Sequence, residues 1–208
     1  MAIAKLFVAL LSAALLVIPA FAAAPLLDTP RPGDVTIGDW TYGGTGCPGG
    51  TAWLTLSPDR RSFTANFRSF TAYLNTDTGN VDDSRKFCQL NLAINSPPGW
   101  QYFVVQTGFT GYASLSDNVQ AVHTSTVYFS GSSNEQSHNA LIYGPAYRDY
   151  DIRSPVAVGS GNWSPCGTQS LLNIKSTLRL RGQGYGAIRE LKASGSLGHI
   201  YNLEWRTC

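Results

Sequence analysis

The pattern that most constrains this chain is a period of two, which starts near Thr51 and recurs between turns as far as Trp205. Cys88, Leu90, Leu92 and Ile94 alternate with Gln89, Asn91 and Ala93, so an extended chain sends the first set inward and the second outward. Phe63, Ala65 and Phe67 share a face in the same way. So do Leu172, Ile174, Leu178 and Leu180, with Asn173, Lys175 and Arg179 opposite. Strands are expected over 51–56, 62–70, 87–94, 110–115, 119–129, 138–143, 172–180 and 200–205. One more, over 100–107, is apolar almost throughout and reads as covered on both faces. Helical periodicity is confined to one expected turn over 188–193. Eight to ten short strands at this spacing specify an all-β fold, a two-sheet antiparallel β-sandwich of jelly-roll or Greek-key type. Two long connections, 75–86 and 144–169, interrupt it.

Ahead of the alternating region, Lys5 precedes an uncharged apolar run from Leu6 to Ile18, and Pro19 leads into Ala20-Phe21-Ala22. Charge, apolar stretch and small residues in that order make a secretory leader over 1–22, with the mature chain starting at Ala23. The run is too short for a membrane span. The terminal Trp205-Arg206-Thr207-Cys208 is no lipid-anchor signal. Residues 23–45, rich in Pro, Gly, Asp and Thr, read as an extended arm, and 46–208 as a single sandwich domain. The expected product is secreted and extracellular.

Cys47, Cys88, Cys166 and Cys208 all follow the leader, and an even count in an exported chain reads as two disulfides. Three pairings are open. The nearest-neighbour one, Cys47 with Cys88 and Cys166 with Cys208, is favoured because it closes two loops of similar length and pins the C-terminus. No Cys-x-x-Cys pair supports zinc.

An ordered series of short motifs resembles a known family. Gly46-Cys47-Pro48-Gly49-Gly50-Thr51 and Ser57-Pro58-Asp59 are followed by Cys88-Gln89-Leu90-Asn91-Leu92 and Pro98-Gly99-Trp100-Gln101. Gly111-Tyr112-Ala113, Tyr128-Phe129-Ser130-Gly131, Gly144-Pro145, Trp163-Ser164-Pro165-Cys166-Gly167, Leu172-Asn173-Ile174 and Trp205-Arg206-Thr207-Cys208 complete it. The series is similar to the secreted, mainly fungal family known as domain of unknown function 4360, over roughly 46–208. Phe87 departs from the Asn expected before the cysteine. The resemblance implies a secreted, disulfide-bonded, β-rich protein of host-associated fungi, and it brings no catalytic residues with it.

Chemical motifs are sparse. Gly195-Ser196-Leu197-Gly198 lacks the spacing of a nucleophile elbow, and no His-Glu-x-x-His occurs. His123, His138 and His199 are far apart and read as structural. Asp149 and Asp151 are the best carboxylate pair for glycoside hydrolysis, with Glu204 on the last strand. Arg148 and Arg153 nearby account for the pair as surface charge. Asp77, Asn80, Asp82 and Asp83 could offer oxygen to calcium, but turn chemistry explains them better. Net charge is +2 and basic residues are scattered, which argues against nucleic acid, though Arg179 and Arg181 make a small stripe on one strand.

The strongest binding signal is aromatic. Tyr143, Tyr147, Tyr150 and Trp163 flank or lie in the second long connection with Asp149 and Asp151, a mixture suited to sugar rings and hydroxyls. Asn162-Trp163-Ser164 is a formal N-glycosylation acceptor, weakened by Pro165. The expectation is therefore a non-enzymatic extracellular interaction protein, such as a fungal effector or virulence-associated factor. A cell-wall glycan-binding module is the alternative, ahead of a weak glycan-active enzyme. It needs no cofactor or metal. Its partner is an extracellular protein or a cell-wall glycan, not nucleic acid or membrane, and the chain is monomeric.

Overall fold

The computed structural model describes residues 29–155, 162–189 and 198–208. The expected leader, residue 23 as mature start and most of the expected helical turn lie outside these residues. Twelve strands are described: β1 Thr36–Gly43, β2 Ala52–Leu56, β3 Ser62–Phe67, β4 Thr71–Asn75, β5 Arg85–Asn95 and β6 Trp100–Leu115. Then come β7 Val119–Phe129, β8 Gln136–Tyr143, β9 Ala146–Pro155, β10 Ser170–Gly182, β11 Tyr185–Arg189 and β12 His199–Thr207. They form an open two-sheet antiparallel sandwich. The five-stranded sheet runs β1-β5-β10-β7-β8. The seven-stranded sheet runs β2-β3-β12-β6-β11-β4, with β9 also paired to β6.

The alternation decides what lies between the sheets. Leu90, Leu92, Leu172, Ile174 and Leu178 of the five-stranded sheet are at most 1% exposed, and Phe63, Phe67, Phe109 and Tyr201 of the other are equally buried. Burial of each such side chain contributes about 1.5–3 kcal/mol. β6 reads apolar on both faces near its start because it is covered twice. Tyr102 and Val104 enter the core, while outward Phe103 lies 5.5 Å from the Trp163 ring.

Several segments differ from the sequence reading. Part of the expected arm is edge strand β1, which pairs with β5 from Thr36↔Asn95 to Gly43↔Gln89 around one irregularity. Val35, just before it, belongs to the core. The expected strand over 62–70 ends at Phe67, and a separate β4 follows. Ile188 and Arg189 are in β11, not in a helical turn, because Tyr185, Ala187 and Arg189 alternate with buried Gly186 and Ile188. The long connection over 144–169 contains β9, ten residues in register with β6. Its charged outward positions hid the strand pattern.

Both disulfides follow the nearest-neighbour pairing, Cys47–Cys88 and Cys166–Cys208, with Cα–Cα distances of 5.5 and 6.0 Å. The second fastens the end of β12 to the segment entering β10. Beside it the Cys208 N–H donates to the Gly99 carbonyl at 3.0 Å, and the Gly167 N–H to that of Trp100 at 2.8 Å.

Candidate functional site

The six residues grouped from sequence as a glycan site do not form one cluster. Between Tyr143 and Ala146 the chain leaves the five-stranded sheet for the seven-stranded one. Tyr143 therefore ends β8 on one outer face, and Tyr147 starts β9 on the other. Tyr150 is buried at 6% exposure. It lies over Gly111, where a Cβ would meet its hydroxyl at 2.5 Å, and that hydroxyl donates to the Arg189 carbonyl at 3.3 Å. Trp163 packs near the start of β6, with the Arg206 guanidinium 3.9 Å from its ring centroid. Tyr147, Asp149 and Asp151 alone remain together, on the outward side of β9.

Those three open onto a larger arrangement. Strand register places Tyr73, Ala187, Ser114 and Tyr147 in one row across β4, β11, β6 and β9. The next row is Thr71, Arg189, Tyr112 and Asp149, and Tyr185 stands two residues before Ala187. Three inter-strand steps span about 14 Å. Small Ala187 and Ser114 floor the first row while tyrosines rise at its two ends and beside it. Tyr73, Tyr147 and Tyr185 are 47%, 64% and 45% exposed, and a hollow of about 270 Å³ lies over β4, β11 and β6.

Charged groups border the rings. The Arg189 guanidinium is 5.1 Å from the Tyr112 ring centroid, and its buried Nε makes no hydrogen bond among the described residues. Arg153 grips Asp151 with two donors, Nε at 2.9 Å and Nη2 at 3.4 Å. Stacking surface flanked by a guanidinium, carboxylates and hydroxyls can hold a polar ring molecule by its faces and its edges. Sequence reasoning missed Tyr73, Tyr112, Tyr185 and Arg189. The available signal was parity, since each stands one residue from a buried apolar or glycine position.

The other candidates resolve differently. Asp149 and Asp151 are two residues apart on one strand of an open face, and Glu204 pairs with Phe103 near the opposite end of β6. This carboxylate set does not straddle a cleft. His123 and His199 do meet, with ring centroids 4.4 Å apart, but between the sheets and against Phe109. Burial, reinforced by neighbouring His199, holds the His123 imidazole well below its ordinary range. The His199 Nδ1 lies 3.1 Å from the Ser176 hydroxyl. His138 stands on β8, and among the described residues no three His, Cys, Asp or Glu side chains are placed to hold a metal.

The loop over 75–86 closes as a turn: Asn75 Oδ1 accepts the N–H groups of Asp77 and Thr78, and Asp83 pairs with Lys86. Asn162 is 3% exposed and Ser164 2%, with the Ser164 hydroxyl accepting the Tyr102 N–H at 3.0 Å. Both polar ends of the acceptor motif are thus buried in the fold.

Comparison with known proteins places the chain among secreted proteins. It is 35% identical over 184 residues to an uncharacterized secreted protein of Arthroderma benhamiae, covering 87% of this chain and 75% of the relative. Two solved structures give loose superpositions. TmCBM61 in complex with beta-1,4-galactotriose matches with a TM-score of 0.32 and 12% identity, over 81% of this chain and 88% of that one. The enzymatically active domain of tailspike protein 4 of bacteriophage CBA120 matches with a TM-score of 0.27 and 14% identity, over 81% of this chain and 19% of that one. At these values neither superposition says anything about ligands here. The protein is secreted, and with residues 33–208 matching the family's pattern, it belongs to the family described as domain of unknown function DUF4360.

Proposed function

We propose that this is a non-enzymatic extracellular glycan-binding protein whose site is the tyrosine-walled trough on the outer face of the seven-stranded sheet. One observation carries the reading. Tyr73, Tyr185, Tyr112 and Tyr147 come from four strands and stand around a floor of Ala187 and Ser114, the first, second and fourth exposed and Tyr112 half-buried beneath Arg189. Large apolar side chains on an outward face lower solubility unless they serve contact with a partner. Sugar rings present apolar faces and hydroxyl edges, and this trough offers tyrosine rings beside Arg189, Asp149 and Asp151. The site is shallow and open, suited to a stretch of polysaccharide. A cell-wall glycan is the ligand class, and an effector role is the case in which that wall belongs to the host.

The test is depletion of the mature protein from solution by insoluble chitin, glucan and cellulose. Retention on at least one, reduced about tenfold by Tyr73→Ala together with Tyr147→Ala, is the expected result. The proposal fails if no polysaccharide retains the protein, or if the double variant is retained as well as the wild type while folding normally.

A further inference from the structure

The outer face of the five-stranded sheet differs from the trough in chemistry. Lys175, Arg179 and Arg181 occupy three of the six outward positions of β10, and Arg179 is in direct register with Arg85 on β5. Like charges directly opposite each other on a sheet destabilise it. None of these four cations makes an ion pair or side-chain hydrogen bond among the described residues, and Arg85, Lys175, Arg179 and Arg181 are all exposed. Outward positions on β5, β10, β7 and β8 carry no Asp or Glu, and the face's one carboxylate on a strand is Asp39 of edge strand β1, beside Asn91, Leu171 and Asn173 and away from the cations. The nearest carboxylates by sequence are at the rim: Asp82 and Asp83 in the turn before Arg85, with Asp83 paired to Lys86, and Asp117 in the turn before β7. These are four of the chain's fifteen lysines and arginines, and the register of β5 and β10 gathers them on one face.

Between the cations the face is lined with hydroxyls. Thr177 and Thr124 are paired in register, as are Lys175 and Thr126, and a hollow of about 270 Å³ lies over them. At one end the row Arg181, Gln120 and Tyr143 finishes on a tyrosine that is 66% exposed. Uncompensated cations at strand and residue spacings, with threonine side chains between and a ring at the margin, complement a flat chain of sugars that bear anions. We infer that the outer face of the five-stranded sheet binds an acidic polysaccharide, with Arg85, Lys175, Arg179 and Arg181 meeting its carboxylate or sulfate groups. The extracellular setting favours this occupant over other polyanions, because acidic glycans are the polyanions of cell walls and matrices. The inference is independent of the trough, which lies on the opposite surface of the sandwich.

The test measures binding of the mature protein to polygalacturonate (carboxylate), heparin (sulfate), a neutral glucan, single-stranded DNA and anionic phospholipid vesicles. Expected is binding to polygalacturonate, heparin or both that falls at least tenfold between 50 and 500 mM salt. Arg179→Gln with Arg181→Gln should lower it by a similar factor. Tyr73→Ala should leave it unchanged, which separates failure here from failure of the trough. Uronate or sulfate as the recognised group is read from which of the two acidic chains binds. The inference is overturned if neither binds, if the DNA or the vesicles bind more tightly than both, or if the arginine variant binds as the wild type does. The altered residues are exposed, and an unchanged thermal transition confirms that a lost signal is not a lost fold.

Discussion

The two outer faces of the sandwich share one core and one backbone design, yet their surfaces are opposites. The seven-stranded sheet presents tyrosines around small residues, with guanidinium and carboxylate groups in balance, as at Arg153 and Asp151. The five-stranded sheet presents threonines and unpaired cations, with Tyr143 at its margin. Inward positions are mostly apolar side chains, and folding dictates them. Outward positions are free of that demand, so a patterned outward face is where a partner leaves its mark.

The largest effect tests what both faces depend on. Cys208→Ser removes the Cys166–Cys208 bridge, whose sequence separation is 42. It should cost about 4 kcal/mol in chemical denaturation without reductant, and weaken both faces together. An unchanged midpoint would show that the C-terminal staple is not what holds β12 in place.

Acid comes next. His123 is neutral in the fold because burial holds its imidazole well below the ordinary value, while the unfolded chain protonates near pH 6.5. The unfolded state then binds the extra proton, so stability is full above about pH 6.5 and declines below it, by up to about 1.4 kcal/mol per pH unit. Denaturation midpoints from pH 7 to pH 5 measure the slope, and His123→Leu should flatten it. An equal slope in the variant would locate the acid sensitivity elsewhere.

A smaller effect sharpens the contrast itself. Tyr185→Ala should weaken retention on neutral polysaccharide by roughly 1 kcal/mol in affinity and leave the fold intact, because the side chain is 45% exposed. Retention unaffected by this change would move the trough's contacts to Tyr73 and Tyr147 alone. The smallest is a gain. Arg179→Gln relieves the register pair with Arg85 and should raise stability by a few tenths of a kcal/mol at low salt, with the difference shrinking as salt rises. A loss instead would mean that the stripe is compensated within the fold.

Much of the fold was legible because alternation is local. Leu90, Leu92 and Ile94, or Leu172 and Ile174, announce their inward side from their neighbours alone, and all are buried. β9 was not legible. Its sequence Ala146-Tyr147-Arg148-Asp149-Tyr150 reads as polar loop until β6 supplies the partner that makes it a strand. The candidate site was legible only in Tyr147, Asp149 and Asp151. Tyr143 lies just four residues before Tyr147 yet ends on the other surface, while Tyr73, far away in sequence, shares its row.

By itself the sequence determined a sulfur-paired sandwich and the inward side of most of its strands, since period two and cysteine count are properties of short stretches. Tertiary structure alone decided which outward residues are neighbours. Register joins segments such as β4, β11, β6 and β9, and a slip of one residue would turn every side chain on a strand to the opposite side.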